Sequence, residues 1–558
     1  MVSAETADGL LLDYVPAAPE TIAVAEDFTH LRFARGYVLH PAEREPAVPD
    51  FWHLREFAGR IFRWDPRSGF ARAVRGQVEV LICGHALDPT LETTDLTQIA
   101  DRLLRARLRS RQRYLNVLEE MFGQYVVLDR YASTTRAQSD AIASRSIFHS
   151  PRASIIASHV RLVGRTLARP RSRYAKWVGA TNHNDFPGRT TYYDGVWLLT
   201  PNTEITLGTG RIRRIGPRAF RPLTVEEAAA RVVPLIQKQV QVLMGSGRKI
   251  LVSASAGVDS RSSLAAFADV TSSENIQAFT YTKAPGSGRQ AAELHRDKLG
   301  GAMAEALGMP HQMFDLNSAA HPPPEYRKVL QALSTRRSNP VISWAYHTQL
   351  PHNGLHIRGQ INGVGKWHFA QRLHFSESME LTPRRMASLT KRGKDVKRPL
   401  DDPWWKPGER GFDEYIRTTG LRSVPAGYRM TDLFLWEHRV ANWNHPHIVE
   451  SDVTFDTYQL FGSRQMIRLL LSVPELDRAQ LSLFREVVSQ LAPQLLEYPV
   501  NGAAWEPPRY DRPLSWYQQG TTDTDHQLAE RTSEVADLKK QLNAAQEELP
   551  RDQSEDPE

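Results

Sequence analysis

Cysteine is almost absent from this chain. Its 558 residues include a single cysteine, Cys83, so no intramolecular disulfide and no metal site built from several cysteines can form. The sequence also lacks an apolar run of about eighteen residues, the length that crosses a bilayer, and its first five residues show no signal-segment pattern. We therefore expect a cytoplasmic protein with no membrane partner.

Acidic residues are outnumbered by basic ones, which gives a net charge of +7. The basic residues are scattered rather than arranged in a stripe, and no pattern typical of a nucleic-acid-binding module is present. An anionic ligand such as ATP, or an acidic peptide, accounts for the same balance. We expect no nucleic-acid partner.

Short apolar runs separated by turn residues fill the first part of the chain. The runs at 77–84, 125–128, 153–158 and 195–199 predict a strand-rich layer. Between them, leucines at helical spacing predict one helix over 101–121.

A different pattern begins near Thr224. Thr224 and Glu227 predict a capping box for a long amphipathic helix that ends at about Met244. Buried strands are predicted at 249–254 and 277–282, and a helix over 290–307. Strands that alternate with helices predict a doubly wound parallel sheet, in which ligands bind at the carboxyl ends of the strands.

The stretch Ser255-Ala256-Gly257-Val258-Asp259-Ser260 follows the first of these strands and precedes a predicted helix. Such a turn aims backbone N–H groups and the positive end of a helix dipole at one point, which favours phosphate binding. Ser255 and Ser260 add hydroxyl donors, and Asp259 adds a carboxylate that can reach Mg²⁺ carried on phosphates. We predict a nucleotide-phosphate site here. The alternative is an ordinary strand–turn–helix packed with small residues.

This hexamer resembles the pyrophosphate loop, Ser-Gly-Gly-x-Asp-Ser, of the asparagine synthetase superfamily, with Ala256 in place of the first glycine. Two later stretches are similar in the same order: 355–365 resembles the family's glycine-rich strand and loop, and 435–440 its Glu-x-Arg segment. The chain departs from the family because Lys366 lies where an acid is expected after Gly363, and no lysine lies near Arg485.

The resemblance implies specific roles for single residues. Asp259 would bind Mg²⁺, and Glu437 would be the catalytic acid that faces the reacting acyl centre. The residues implied in binding the ATP phosphates are Ser255, Ala256, Gly257, Asp259, Ser260 and Gly359.

The first part of the chain resembles the class II glutamine amidotransferase layer found in the same superfamily. The stretch Met121-Phe122-Gly123-Gln124-Tyr125 looks like the family's strand after a helix. Asp140 and residues 145–148 look like the segment that follows this strand in the family. Such domains use an N-terminal cysteine as nucleophile. Here Val2 follows Met1, so we expect no glutaminase activity.

The resemblance implies two domains and a tail. Residues 1–220 would form an Ntn-hydrolase-like αββα domain, and 221–515 a doubly wound, adenine nucleotide α-hydrolase-like ATP-binding domain. Residues 516–558 would form a charged, helical and partly disordered tail.

The function that the resemblance implies is an ATP-dependent carbon–nitrogen ligase that forms AMP and pyrophosphate. It would adenylylate the carboxylate of a small molecule or peptide and form an amide with ammonia or with the substrate's own amine, as β-lactam synthetases and lasso-peptide cyclases do. A second copy of the chain is a further candidate partner. The alternative is a non-catalytic nucleotide-binding or regulatory protein on the same fold.

Two further segments have ambiguous patterns. Residues 382–411 are basic and contain Pro and Trp, so we expect a solvated or disordered loop, with a lid or a docking surface for an acidic partner as the alternative. His445 and His447 flank a proline on a predicted loop, and we expect no metal there.

Overall fold

The structure, a computed structural model, describes residues 2–5, 9–178, 185–283, 289–317, 321–335, 339–368, 381–391 and 398–507. The strands are β1 (Val2–Glu5), β2 (Leu11–Val15), β3 (Tyr37–His40), β4 (His53–Phe57), β5 (Arg60–Trp64), β6 (Gly69–Arg75), β7 (Val78–Leu87), β8 (Phe122–Tyr131), β9 (Thr134–Ser139), β10 (Ile147–His149), β11 (Ile156–Ala157), β12 (Trp197–Leu199), β13 (Thr203–Thr206), β14 (Ile212–Arg214), β15 (Ile250–Ser253), β16 (Ile276–Thr282), β17 (His311–Asp315), β18 (Leu355–Ile357) and β19 (Asp456–Tyr458).

The α-helices are α1 (Leu96–Arg109), α2 (Arg111–Glu120), α3 (Val160–Thr166), α4 (Arg173–Val178), α5 (Val225–Met244), α6 (Val258–Ala266), α7 (Arg289–Arg296), α8 (Leu299–Ala306), α9 (Pro324–Leu333), α10 (Pro340–Gln349), α11 (Pro383–Leu389), α12 (Lys406–Thr419), α13 (Met430–Phe434), α14 (Ala441–Ser451), α15 (Arg464–Ser472), α16 (Glu475–Ala479) and α17 (Ser482–Leu491). A π-helical turn, Leu435–Val440, joins α13 to α14.

The first two sheets stack face to face. One has the strand order β1-β2-β6-β7-β8-β9-β13-β14 and the other β12-β10-β11-β3-β5-β4. Strand β7 shows why they stack, because its side chains alternate between two faces. Val80 and Ile82 pack on α1 and α2, whereas Leu81 and Cys83 pack between the sheets.

Helices cover the outer face of the second sheet. Val160 of α3, Tyr326 of α9 and Val449 of α14 share one buried cluster with Val38 and Ala157 of the sheet. The layers therefore run helix, sheet, sheet, helix. The αββα layering predicted for the first part of the chain is therefore present, although α9 and α14 of the outer layer come from after residue 220.

The third sheet is parallel throughout, with the order β17-β16-β15-β18-β19. The chain adds β16 and β17 on one side of β15 and then returns to add β18 and β19 on the other. The order therefore reverses at β15, and the carboxyl ends of β15 and β18 flank the point where open parallel sheets bind ligands. Alternation along β15 directs Leu251 into a buried cluster with Tyr346 of α10.

Local sequence signals explain where some helices begin. The predicted capping box at α5 is confirmed: the Thr224 hydroxyl accepts the Glu227 N–H at 3.2 Å, and the Glu227 carboxylate accepts the Thr224 N–H at 2.9 Å. The single helix predicted over 101–121 is instead α1 and α2, because Ser110 is extended and its hydroxyl caps the second helix. The helix predicted over 290–307 is likewise two helices, α7 and α8.

The basic segment at 382–411 is largely helical, which corrects the predicted loop. It contains α11, a 3₁₀ turn at Pro403–Trp405 and the start of α12, and an Arg384–Glu409 ion pair of 2.8 Å joins the two helices. Its residues 392–397 lie outside the described part of the chain. The predicted loop around His445 is also wrong, since this residue lies within α14.

Two further expectations concern the tail of the chain and its membrane-spanning capacity. The predicted helical tail at 516–558 falls entirely outside the described residues. Within the described ranges, no helix combines the length and apolar character needed to cross a membrane.

Candidate functional site

The loop between β15 and α6 is folded by its own serines. The Ser260 hydroxyl accepts the Ser255 N–H at 3.0 Å, and the two hydroxyl oxygens lie 2.7 Å apart. These bonds tie the end of the strand to the first turn of the helix. Ser255 and Ser260, predicted as phosphate ligands, therefore also fix the conformation of the loop.

The first turn of α6 is open at its amino end. Gly257 is the N-cap residue, with φ −83° and ψ 162°, and no described side chain caps the turn. The N–H groups at the start of an α-helix have no partner within the helix. Those of Val258, Asp259 and Ser260 therefore remain available, and a Cβ on Gly257 would meet no described atom closer than 3.6 Å.

Ala256 replaces a glycine of the family loop without strain. Its φ is not in the left-handed region, so a methyl group is compatible with its backbone conformation. The Ala256 N–H donates to Asp297 Oδ1 at 3.0 Å, and its carbonyl accepts the Asn501 N–H at 3.0 Å. Burial raises the pKa of the Asp297 carboxyl. Both backbone polar groups of Ala256 are thus hydrogen-bonded, the N–H to Asp297 and the carbonyl to Asn501, and these bonds hold the loop in place.

Gly359 lies where the loop and the end of β18 come closest. A Cβ at this position would stand 2.5 Å from the Asp259 carbonyl oxygen, which is closer than atoms can approach. Asn362, in the 3₁₀ segment Gln360–Lys366, donates through Nδ2 to the same carbonyl at 3.4 Å. The structure therefore brings Gly359 against the loop formed by the other predicted binding residues.

The sequence did not identify Lys366 as a site residue. Its Nζ lies 2.5 Å from Asp259 Oδ1, and both side chains are partly exposed, at 24% for Lys366 and 36% for Asp259. The signal for this pair was the departure from the family, a lysine where an acid is expected. An ammonium group therefore sits at the first turn of α6.

The carboxylates at this loop do not fit a protein-held Mg²⁺ ion. Mg²⁺ prefers several oxygen ligands in octahedral geometry. Asp259 Oδ1 is paired with Lys366, and Asp297 Oδ1 accepts the Ala256 N–H. Within the described ranges, no group of three or more His, Cys, Asp or Glu residues could hold a metal ion. A divalent ion at Asp259 would lie beside the Lys366 ammonium, and the two positive charges would repel each other.

Glu437 lies in the π-helical turn and is fully buried. Its carboxylate accepts two hydrogen bonds from the Arg214 guanidinium, at 2.6 Å and 2.8 Å, and one from Asn202 Nδ2 at 3.0 Å. The pair joins this turn to the end of β14. The contact predicted between Glu437 and an acyl centre stays a prediction, and any such contact would compete with Arg214.

Two arginines lie in the region where the family has a lysine, Arg478 and Arg485, and both have protein partners. Arg478 donates to both carboxylate oxygens of Asp432, at 3.0 Å and 3.1 Å. Arg485 donates to the Trp505 carbonyl at 3.4 Å. Both therefore contribute to the local structure.

A C-terminal strap, residues 493–507, is attached to α6 by one side chain that the sequence reasoning missed. Arg261 donates to the carbonyl groups of Leu495, Tyr498 and Pro499, at 3.2, 2.7 and 2.6 Å. Burial lowers the pKa of Arg261 to about 10. Nothing in the sequence pattern distinguishes this arginine from its neighbours, because its partners lie far away in the chain.

Comparison with known proteins gives little further information. No family model matches the sequence, and no curated protein matches it. The glutamine phosphoribosylpyrophosphate amidotransferase from B. subtilis, complexed with ADP and GMP, is 11% identical over 65% of this chain and 77% of its own, with a TM-score of 0.19. A structure of the allosteric regulatory enzyme of purine biosynthesis is 11% identical over 66% of this chain and 77% of its own, with a TM-score of 0.20. Similarity at this level carries no argument about function.

Proposed function

We propose that the loop between β15 and α6 binds the phosphate groups of a nucleotide such as ATP. The observation that carries this proposal is the uncapped first turn of α6 at the point where the order of a parallel sheet reverses. Such a turn offers free N–H donors and a positive partial charge to an anion. Open parallel sheets bind ligands at this place.

The loop is held in its binding conformation before any ligand arrives. The Ser255–Ser260 hydrogen bonds, the Asp297 carboxylate and the backbone of Asn501 all hold it. A preorganised site loses little conformational entropy when the ligand binds. Lys366 adds a positive charge at the edge of the same turn.

An ATP-dependent ligase that adenylylates a carboxylate is the second candidate function. One observation favours it: the π-helical turn that carries Glu437 contacts the Gln360–Lys366 segment of the phosphate site. However, Asp259, Glu437 and Arg478 are all paired within the protein. Nucleotide binding without turnover is therefore the function that the geometry supports best.

Calorimetric titration of the intact chain with ATP, ADP, AMP and adenosine tests the binding proposal. We expect affinity to fall as phosphates are removed, because the N–H donors recognise phosphate and not the nucleoside. Equal affinity for ATP and adenosine, or no binding of ATP, would rule out this site.

Gly257→Asp provides a variant that separates binding from folding. The position has room for a side chain, and aspartate is among the best N-cap residues, so the helix should not lose stability. Its charge would repel phosphate, so we expect ATP binding to be lost. Gly257→Asn is the matched neutral control, and its ATP affinity should be higher than that of the aspartate variant.

An ATP–pyrophosphate exchange assay across candidate carboxylates distinguishes the two functions. Exchange with any carboxylate would establish the ligase. Measurable ATP binding with no exchange would support nucleotide binding without turnover.

A further inference from the structure

Asp259 and Lys366 form an ion pair at the phosphate site. Asp259 is the second residue of α6, so its carboxylate stands beside the N–H groups proposed to receive phosphate. A bare carboxylate there would repel an incoming phosphate. The Lys366 ammonium, 2.5 Å away, offsets that charge.

Lys366 is placed by a well-packed segment. In the 3₁₀ segment Gln360–Lys366, the Ile361 N–H donates to Gln459 Oε1 at 2.8 Å, and Asn362 is fully buried. A Cβ on Gly365 would lie 3.1 Å from the Phe484 ring, so this backbone packs directly against α17. Because these contacts fix the Gln360–Lys366 segment, the backbone of Lys366 has a defined position next to Asp259.

We propose that Lys366 is the resident cation of this site and that nucleotide phosphates bind here without a divalent metal. This inference rests on the proposed nucleotide-binding function. A lysine ammonium has three N–H donors. The ammonium is held near Asp259 by charge, and the partial exposure of the pair lets phosphate oxygens reach its N–H donors.

The same geometry disfavours Mg²⁺. A divalent ion on Asp259 would stand next to the ammonium group, and the two positive charges would repel each other. The second described carboxylate at the loop, Asp297, accepts the Ala256 N–H and carries a pKa raised by burial. The Lys366 ammonium therefore supplies the positive charge that a metal ion would otherwise supply at Asp259.

The test is ATP affinity of the intact chain measured by calorimetry in EDTA and in excess MgCl₂. We expect the wild-type protein to bind at least as tightly in EDTA as with Mg²⁺. For Lys366→Met we expect a loss of at least about tenfold in EDTA, the scale of one charge-assisted hydrogen bond. Mg²⁺ should partly restore this variant, because Asp259 is then free to accept the metal.

Two further variants sharpen the test. Asp259→Asn combined with Lys366→Met removes both charges, so its ATP affinity should not change when Mg²⁺ is added. Lys238→Met is the matched control, since Lys238 lies on α5 and its ion pair, at 2.9 Å, is with Glu92 and not with a residue of the loop. This control should bind as the wild type does.

Failure of the inference about Lys366 can be distinguished from failure of the proposed nucleotide binding. Wild-type binding that is at least about tenfold weaker in EDTA than with Mg²⁺ would overturn the role of Lys366 and leave nucleotide binding intact. Unchanged affinity of Lys366→Met in EDTA would do the same. Absence of ATP binding in both buffers would overturn the proposed function and this inference together.

Discussion

Two glycines after β18 offer a test at the scale of single residues. A Cβ on Gly359 would lie 2.5 Å from the Asp259 carbonyl oxygen, whereas a Cβ on Gly363 would meet no described atom within 4 Å. We expect Gly359→Ala to push the first turn of α6 away and to weaken ATP binding by at least about tenfold. Gly363→Ala should leave the affinity within about twofold of the wild type.

Calorimetry with ATP on both variants measures this difference, and circular dichroism melting reports whether each is folded. Equal losses of affinity in the two variants would show that the close approach of Gly359 to the loop is not what shapes the site.

At this scale the sequence located the loop that forms the candidate site, and its binding roles stay predictions. The hexamer from Ser255 to Ser260 could be found because it follows a buried strand directly, so its signal is local. The partners of charged residues could not be found in this way. Arg214 precedes Glu437 by 223 positions, and only the folded chain brings the two together. For Lys366 the sequence showed only a lysine where the family has an acid, and the pairing with Asp259 required the folded chain.

At the scale of elements, Arg261 links α6 to the C-terminal strap. Its guanidinium is fully buried and donates to three carbonyl groups of the strap. We expect Arg261→Met to leave these carbonyls without donors and to lower the free energy of unfolding by about 2–4 kcal/mol. Hydrogen exchange measured by mass spectrometry should rise across residues 493–507.

The matched control for this variant is Ser262→Ala. The Ser262 hydroxyl donates only within the helix, to the Val258 carbonyl at 2.9 Å, so exchange in the strap should stay at the wild-type level. Unchanged exchange in the Arg261 variant would mean that other contacts hold the strap.

Helix boundaries were predicted correctly where a few neighbouring residues in the sequence determine them. The capping box at Thr224 was found because both of its members are read directly from the sequence. The break at Ser110 was missed because the apolar periodicity continues through it, while its extended φ of −171° ends the helix. Strand order in the third sheet depends on pairings between distant segments, which periodicity does not specify.

At the scale of the whole molecule, buried charges join the first part of the chain to the third sheet. Arg35 of the first part pairs with Asp456, at the start of β19, at 2.9 Å, and Arg145 pairs with Asp452 at 2.8 Å. Arg248, which precedes β15, also pairs with Asp456 at 2.7 Å from within the third-sheet region. Although burial alone would raise it, the pKa of Asp456 is held well below its usual value by the two arginines. The Arg35–Asp456 and Arg145–Asp452 pairs therefore connect the first part of the chain directly to the third-sheet region.

His85 makes this contact sensitive to pH. It lies on β7, and its Nε2 is 3.0 Å from the Thr457 carbonyl oxygen of β19. Burial lowers the pKa of His85 from 6.5 to about 4. The unfolded chain therefore takes up this proton first as pH falls, so stability is lost between pH 6.5 and about 4, by up to about 3 kcal/mol for this residue.

Urea unfolding measured across that pH range tests the prediction. The free energy of unfolding should fall as pH is lowered, and His85→Gln should show a shallower fall than the wild type, since one titrating group is gone. Identical pH dependence in the two proteins would mean that His85 titrates alike in the folded and unfolded states.

The most direct test of nucleotide binding is a crystal structure of the intact chain with a non-hydrolysable ATP analogue. We expect the phosphates at the first turn of α6, within hydrogen-bonding distance of the N–H groups of residues 258–260. We also expect Lys366 Nζ on a phosphate oxygen. Phosphates bound elsewhere, or a divalent ion on Asp259 with Lys366 displaced, would contradict this arrangement.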